Sequence, residues 1–343
     1  MAFTAGELAS IANAALDYYL QRGDTFKQSI QNKPLLEAME SSGKNFPGGK
    51  GNISVGIKGK YGAGGTSDGI VGYTHNDTVT FYTPSNIDRA NYPWREHHIG
   101  FTMTHTELKI DGISVTDDGG DGRKTSEHSS REETVLVNIL EDKMADFGEQ
   151  YARTMNTLLW GDGVADPKAL AGMRAIIVDD PTAGTLGGLA RTNIWWRNRA
   201  ATAASGAAGG HAPITSSPAN GGALLTFLQQ EYRQLIRYGG RPNKFLAGSD
   251  FISALEVEIR SNGNYSLRGF RGPQDGAMGP MSFMDCPIQY DPTLDDLGKS
   301  KRGYWFDTRH VFLMKMDGEW RHSFTPARQY NQFVLYKSMI CMG

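Results

Sequence analysis

Histidines and a carboxylate that could bind a metal ion lie together in the stretch EHHIGFTMTH, which contains Glu96, His97, His98 and His105. A zinc site on a helix needs two histidines four residues apart on one face. This stretch instead alternates like a strand, so that His97 and His98 would point to opposite faces. We therefore interpret these histidines as polar or interface side chains, and we predict no metal ligand among them.

A second candidate is the acidic turn DDGGDGR, which contains Asp117, Asp118 and Asp121. An EF-hand loop needs a closing glutamate at its twelfth position. The twelfth residue counted from Asp117 is His128, so the pattern does not match. A weak cation site is the alternative that this stretch leaves open.

Patterns for nucleophilic catalysis or phosphate binding are missing from the sequence. It contains no Gly-x-Ser-x-Gly elbow, and neither Cys286 nor Cys341 lies in a catalytic signature. The glycine-rich stretch 62–69 is not followed by the Gly-Lys-Ser/Thr of a phosphate loop. We therefore predict no catalytic residue, no cofactor-binding residue and no cofactor.

The composition excludes several classes of protein. The 343 residues carry a formal charge of -2, from 35 basic and 37 acidic residues, which is not the basic surplus of a nucleic-acid-binding domain. Two cysteines form neither a disulfide framework nor a four-cysteine zinc site. The N-terminus lacks the basic region of a secretion signal, and no stretch approaches the ~18 apolar residues of a membrane span. We expect a soluble protein with two or three packed regions.

The stretch GTLGGLARTNIWWRN, residues 184–198, places Trp195 and Trp196 behind a glycine-rich turn and before Arg197 and Asn198. Each indole N–H needs a hydrogen-bond acceptor when it is buried. The pair could belong to the core of one domain. Alternatively it could form an interface, because Trp and Arg are enriched among the residues that dominate binding energy. The residues alone leave both interpretations open.

The clearest element that could position such residues is a long helix. Ser130 and Glu133 form a capping box, and apolar residues then recur every three or four positions as far as Leu158. The pattern predicts a helix from Arg131 to Trp160, roughly 45 Å long at about 1.5 Å per residue. Its narrow apolar stripe indicates a spine that is packed along one side, with a coiled coil as the alternative.

Around this spine the sequence predicts a short helix at 5–20, an extended arm with one helical turn at 21–48, and a long two-stranded hairpin at 52–83. The returning half of the hairpin is expected at Val71, Tyr73, Val79 and Phe81. Because a single hairpin is marginally stable in water, it should lie on another surface. Further strands are expected around Phe101, Met103 and Ile110, and in GMRAIIVDDP.

The second half of the chain predicts a helix at about 222–238. A strand, a Ser249 cap and a further helix are expected in NKFLAGSDFISALEVEIR, and strands in CPIQYD, RGYWFD, HVFLMKM and QFVLYKSMI. The segment 199–222 is predicted to be a loop.

The order of these features resembles the major capsid protein of tailed bacteriophages. The segment GTLGGLARTNIWWRN is the most specific part of the resemblance. The others, in chain order, are NKPLLEAME, KNFPGGKG, YPWREHHIG, TELKIDG, LLWGDG, FLAGSDFISALE and PARQYNQFVLYKSM. Together they span nearly the whole chain.

The resemblance implies an α+β protein with the HK97-like capsid fold. Its expected parts are an N-terminal helix and arm at 1–48, an extended E-loop hairpin at 49–90, a peripheral domain with the spine helix at 91–165, an axial domain at 166–307, and a return to the peripheral domain at 308–343.

The implied function is structural, not enzymatic. Copies would assemble into the pentamers and hexamers of an icosahedral phage head enclosing double-stranded DNA, in the virion, after synthesis in the cytoplasm of a bacterial host. Expected partners are other copies, a decoration (cement) protein, a scaffold, a portal and, non-specifically, DNA, but no membrane. The assembly-interface hypothesis names Trp195, Trp196, Arg197, Asn198, Lys58 and Tyr61. The alternatives are an encapsulin-like compartment shell, or a metal-dependent hydrolase using Asp117, Asp121 and the nearby histidines.

Overall fold

A computed structural model describes residues 3–4, 32–59, 72–78, 81, 87–110, 115–116, 130–164, 166–201, 210–211, 223–237, 239–261, 281–324 and 334–343. The helices are α1 Pro34–Ser41, α2 His105–Ile110, α3 Ser130–Leu159, α4 Met173–Ile176, α5 Ala223–Ile236, α6 Ser249–Ser261 and α7 Pro292–Asp296. The strands are β1 Phe3–Thr4, β2 Lys44–Phe46, β3 Asn52–Ile57, β4 Asp88–Pro93, β5 Glu96–Thr104, β6 Val115–Thr116, β7 Thr185–Leu186, β8 Leu189–Ala190, β9 Ala200–Ala201, β10 Gly210–His211, β11 Lys244–Ala247, β12 Ser282–Phe283, β13 Cys286–Tyr290, β14 Gly303–Phe306, β15 Met314–Met316, β16 His322–Phe324 and β17 Val334–Met342.

The predicted spine helix is confirmed as α3, which runs for 30 residues from Ser130. Its apolar stripe is buried against α1 and against a sheet of order β16-β17-β5. The shared core contains Leu35, Leu36, Met39, Met144, Phe147, Tyr151, Met155, Trp160, Met339 and Cys341. A helix of this length therefore gains its stability from packing along one side.

The last strand of the chain returns to the spine. β17 pairs with β5 in an antiparallel ladder from Val334 opposite Thr104 to Met342 opposite Glu96. Both strands were predicted. Nine consecutive cross-strand pairs fix the register, since a slip by one residue would move the buried side chains to the opposite face.

A second core lies between a sheet of order β12-β13-β11-β14 and the helices α5 and α6. β11 runs parallel to β13 and antiparallel to β14. The core contains Leu224, Leu228, Phe245, Ala247, Leu255, Cys286 and Ile288. The predicted helices at 222–238 and after Ser249 are confirmed, as are the strands in CPIQYD and RGYWFD. In HVFLMKM only Met314–Met316 form a strand.

Three expectations for secondary structure were wrong. Residues around Ile110 form helix α2 instead of a strand, because a capping box starts a helix there. Glu107 accepts hydrogen bonds from the Thr104 N–H and hydroxyl, and Thr104 Oγ1 accepts one from the Glu107 N–H. GMRAIIVDDP contains the short helix α4 instead of a buried strand, closed by a bond from the Ile177 N–H to the Met173 carbonyl. The segment 34–41 forms two turns of helix, not one, because its apolar residues are buried against the spine.

The predicted hairpin has a different returning strand. β3 pairs with β4, from Asn52 opposite Pro93 to Ile57 opposite Asp88. Tyr73 and Phe81 lie outside any described strand, and their side chains are 71% and 93% exposed. Local alternation therefore located a strand, but the pairing was decided by contacts farther along the chain. The predicted helix at 5–20 lies outside the described residues.

Candidate functional site

The glycine-rich turn of the Trp segment is a two-residue β-hairpin between β7 and β8. Gly187 and Gly188 have φ angles of 59° and 82°, as a type I′ turn requires at both central positions. The Gly187 carbonyl accepts a 2.9 Å hydrogen bond from the Asn91 N–H on β4. A Cβ on Gly187 would lie 2.9 Å from the Ala90 Cβ. The hairpin thus lies directly against the β3–β4 ribbon.

The two tryptophans are half-buried and close this contact. Trp196 Nε1 donates to the Leu186 carbonyl at 2.9 Å, which satisfies its indole within the same segment. The ring centroids of Trp195 and Trp196 are 6.1 Å apart and the rings are tilted by 49°. Trp195 packs against the backbone that follows β3, since a Cβ on Gly59 would lie 1.9 Å from its Cε3.

We call residues 184–198 the clasp, and β3, β4, Lys58 and Gly59 the stem. The clasp holds both strands of the stem, through Gly59 on one side and through Ala90, Asn91 and Tyr92 on the other. Trp195 therefore contacts the stem of its own chain, whereas Trp196 is bonded within the clasp. This arrangement fixes the direction in which the ribbon leaves the body of the protein.

Arg191 anchors the clasp to the body of the protein. Its side chain is buried, with 2% of its surface exposed, and its guanidinium donates to three oxygen atoms. Nη1 donates to the Ile176 carbonyl at 3.1 Å and to Asn198 Oδ1 at 3.0 Å, and Nη2 donates to the Ala175 carbonyl at 2.7 Å. The two carbonyls lie at the end of α4, where the helix leaves its acceptors unpaired.

Asn198 extends this anchor through two hydrogen bonds between its side-chain amide and the backbone of Val178. Its Oδ1 accepts from the Val178 N–H at 3.3 Å, and its Nδ2 donates to the Val178 carbonyl at 2.9 Å. The side-chain amide thus pairs with one residue as a neighbouring strand would. Arg191 and Asn198 together join the clasp to residues 175–178.

Electrostatics in the anchor follow from burial. Burial lowers the pKa of the Arg191 guanidinium from its ordinary value, and it raises the pKa of the Tyr92 hydroxyl on the stem. Arginine remains charged under all ordinary conditions, so a permanent cation is held here by neutral carbonyl dipoles. The arrangement positions backbone; it presents no nucleophile and no acid–base pair.

The structure brings together four of the six residues of the assembly hypothesis. Trp195, Trp196 and Asn198 belong to the clasp contacts described above, and Arg197 is half-buried beside them. Lys58 is exposed on the stem, next to Gly59. Tyr61 lies outside the described residues. That these residues contact another subunit stays a prediction.

Sequence reasoning missed Gly59 and Arg191. The importance of Gly59 depends on its contact with Trp195, which is distant in the chain and leaves no local signal. Arg191 is in the quoted segment, but a buried arginine without a carboxylate has no sequence pattern. The Gly187–Gly188 pair, in contrast, was recognisable from the sequence as a turn signal.

In the histidine stretch, His97 makes a structural contact. His97 is half-buried and its Nε2 accepts from the Leu170 N–H at 3.0 Å. Burial lowers the pKa of His97 from its ordinary value. Among the described residues no group of three His, Cys, Asp or Glu side chains could hold a metal ion. Asp117, Asp118 and Asp121 lie outside the described residues.

None of the described helices is long and apolar enough to span a membrane.

This arrangement of a buried spine helix, a long β5–β17 ladder and a projecting ribbon is an α+β architecture. No protein-family model and no curated protein sequence matches the chain. The fold is similar to that of a chain in the cyanophage A-1(L) capsid asymmetric unit, with a TM-score of 0.59 and 14% identity, covering 92% of this chain and 89% of that chain.

Two further solved structures have lower scores. A chain of Mycobacterium phage Bobi has a TM-score of 0.48 and 8% identity, covering 89% of this chain and 82% of that chain. A chain of the capsid of Myoviridae phage XM1 has a TM-score of 0.47 and 11% identity, covering 92% and 87%. The cyanophage likeness shows the fold, and the chain has the HK97-like phage capsid fold that the sequence predicted.

Proposed function

We propose that this chain is the major capsid protein of a tailed bacteriophage, and that it assembles into the pentamers and hexamers of an icosahedral head enclosing double-stranded DNA. The observation that carries the proposal is the fold, which corresponds over 92% of this chain and 89% of the cyanophage capsid chain. Fold alone does not define function, so the proposal also needs support from surfaces.

The stem supplies that support. β3 and β4 pair only with each other among the described strands, and a lone two-stranded ribbon is marginally stable in water. Val55 on the stem is 42% exposed, and between the two strands of the stem Ile87 is 60%, Tyr73 71% and Phe81 93% exposed. Exposed apolar surface on a projecting element marks an interaction site. In a shell, a neighbouring copy would cover it.

The clasp fits the same role. A ribbon that must reach a neighbouring subunit needs a fixed direction, since binding through a disordered element costs ordering entropy. Trp195 contacts the stem and Asn198 anchors the clasp within one chain, while Lys58 is exposed and Arg197 is half-buried beside them. We infer that these residues set the geometry of subunit contact, with no catalytic role.

The remaining parts of the proposal follow from this assembly. Many weak contacts per subunit accumulate through multivalency, and a formal charge of -2 limits repulsion between copies. A decoration protein, a scaffold and a portal are the proposed protein partners, and the packaged DNA is contacted without sequence preference. The proposed location is the virion capsid, after synthesis in the cytoplasm of a bacterial host.

Negative-stain electron microscopy with light scattering on the purified protein tests the proposal. Rings of five or six subunits, sheets or closed shells are expected. The ratio of nucleic acid to protein in particles from infected cells then separates a phage head from an encapsulin-like shell, which would hold cargo protein. A monodisperse monomer or dimer, even with crowding agent or scaffold, would contradict assembly and direct attention to metal analysis and a hydrolase function.

A further inference from the structure

A cleft of about 1120 Å³ lies beside the clasp, which contributes Ile194, Trp195, Arg197 and Asn198 to its lining. Residues 197–201 and residues 301–305 both line it, so it runs along strand β14. Helices α5 and α6 contribute apolar and aromatic side chains, and Trp195 and Trp305 add two indoles. The apolar lining residues from the helices are Leu224, Phe227, Leu228, Leu235, Phe251 and Ala254.

Strand β14 is the edge of its sheet on the side away from β11. The Gly248 N–H donates to the Arg302 carbonyl at 3.0 Å, and Leu246 is paired with Tyr304. In an antiparallel pair, alternate residues face the neighbour. Gly303 and Trp305 therefore direct their backbone N–H and C=O groups away from β11, and no described residue pairs with them.

An unpaired strand edge in a concave site is a template for one more strand. An extended peptide that adds there gains main-chain hydrogen bonds, and its alternate side chains enter the adjoining pockets. Trp305 lines the cleft. Its indole is held in place by stacking on Tyr232, at a centroid distance of 5.3 Å, and by an edge-on contact with Phe283 at 5.6 Å. The edge and the apolar lining together fit a peptide with alternating apolar side chains.

The charges of the cleft specify the peptide further. Its lining contains five cationic side chains and three carboxylates, which leaves an excess of two positive charges. Arg199 pairs with Glu231, and Arg302 pairs with Asp179. Arg197 and Lys301 form no ion pair with any described residue. These two cations would attract a carboxylate on the incoming segment.

We propose that this cleft binds an extended, acidic segment of a different protein, which adds as a strand along β14. The proposal does not depend on the capsid function, because it concerns the isolated subunit. A second copy of the chain fits less well. Its described strands carry acidic residues only at the ends, Asp88 on β4 and Glu96 on β5, and none in a strand interior.

Fluorescence anisotropy of the full chain with a labelled eight-residue peptide tests the proposal. The probe alternates valine with glutamate and threonine, and two matched peptides replace its glutamates by lysine or methylate alternate backbone nitrogens. We expect saturable binding of the acidic probe, about tenfold weaker binding of the basic one, and loss of binding on N-methylation. Hydrogen exchange should slow at residues 303–305 when the acidic probe is bound.

Charge-reversal variants provide the second readout. Lys301→Glu combined with Arg197→Glu should weaken the acidic probe by about tenfold or more and favour the basic one. Arg309→Glu makes the same type of charge change at an exposed residue outside the cleft and should have little effect. Absence of saturable binding would overturn the proposal, and so would equal binding of the N-methylated peptide. The proposal would also be overturned if the bound probe slowed hydrogen exchange only outside β14, or if the cleft bound a second copy of the chain and not the probe.

Discussion

Trp160 Nε1 donates a 2.7 Å hydrogen bond to Oδ2 of Asp291, and both side chains are completely buried. Asp291 also caps α7, since its Oδ1 accepts from the Thr293 N–H at 3.0 Å. Asn156 lies one turn before Trp160 and bonds to the Leu36 N–H and to Thr293 Oγ1. The end of the spine is therefore tied to α1 and α7 by one buried polar network, in which each member depends on its neighbours.

We expect Trp160→Phe to lower the free energy of unfolding by about 2–4 kcal/mol, because it removes a donor from a buried carboxyl group and leaves a cavity. Trp94→Phe is the matched control. Its indole donates to the Lys50 carbonyl at 3.0 Å in an exposed position, so its loss should cost less than about 1 kcal/mol. Chemical denaturation of unassembled subunits measures both losses. Equal losses in the free energy of unfolding would show that the buried Trp160 hydrogen bond contributes no more than the exposed Trp94 bond.

Burial raises the pKa of Asp291 above its ordinary value of 3.8. The folded state therefore binds this proton more tightly than the unfolded state does, and the stability contributed by this group is present at low pH and lost as pH rises through the folded pKa. Asp291→Asn keeps a capping side chain but removes the titration. The stability of the wild type minus that of the variant should fall as the pH rises from the ordinary aspartate value of 3.8 towards neutrality. Denaturant titrations across that range measure the difference, and a rise with pH would contradict the assignment.

Arg191→Lys should cost about 2 kcal/mol or more, because an ammonium cannot reproduce the fork that reaches Ala175, Ile176 and Asn198. Arg199→Lys is the comparison. Arg199 pairs with Glu231 at a partly exposed site, and its replacement should cost less than about 1 kcal/mol. Thermal unfolding of the two variants gives the comparison, and similar losses would mean that Arg191 is not an anchor.

A non-glycine turn offers a stabilising change. Met284 and Asp285, between β12 and β13, have φ angles of 49° and 64°. Methionine is strained in this left-handed region, whereas aspartate tolerates it better. Met284→Gly should therefore raise the free energy of unfolding by about 0.5–1 kcal/mol, and Asp285→Gly by less. Denaturation midpoints of both variants check the order, and a destabilised Met284→Gly protein would show that the side chain contributes packing that outweighs its strain.

Local signals in the sequence predicted much of the fold. The Ser130 capping box and the apolar stripe gave the spine helix, and strand-turn-helix chemistry around Ser249 gave β11 and α6. The same capping chemistry was present at Thr104 and Glu107, but it followed directly on the alternating strand of Phe101 and Met103, which concealed it. Order of motifs along the chain, not any single motif, pointed to the capsid fold.

Contacts between distant residues could not be predicted. Nothing near Asn52 indicates that its partner is Pro93, and nothing near Gly59 indicates that Trp195 lies above it. Pairing of this kind depends on the packing of the whole chain. The Trp pair was recognised from its residue types, whereas its role as part of a clasp on the stem required the structure.

The contact between Gly59 and Trp195 gives the most direct test of the clasp. Gly59→Ala would place a Cβ 1.9 Å from Cε3 of the indole, so either the stem or the ring must move. Since the stem pairs with no other described strand, we expect the subunit to fold with near-normal stability. The yield of closed shells should fall about tenfold or more, because the same misaligned contact recurs in every copy of the shell.

Gly51→Ala is the matched control, since a Cβ there meets nothing within 4 Å and shells should form normally. Trp195→Val in the Gly59→Ala background should restore part of the yield, because the smaller side chain leaves room for the new methyl group. Such rescue is the signature of a direct contact in a double-mutant cycle. Electron microscopy and sedimentation of the wild type, Gly59→Ala, Trp195→Val, the double variant and Gly51→Ala measure the yields. If Gly59→Ala alone assembles as well as Gly51→Ala, the direction of the stem does not depend on the clasp, and the ribbon must be oriented by the neighbouring subunit instead.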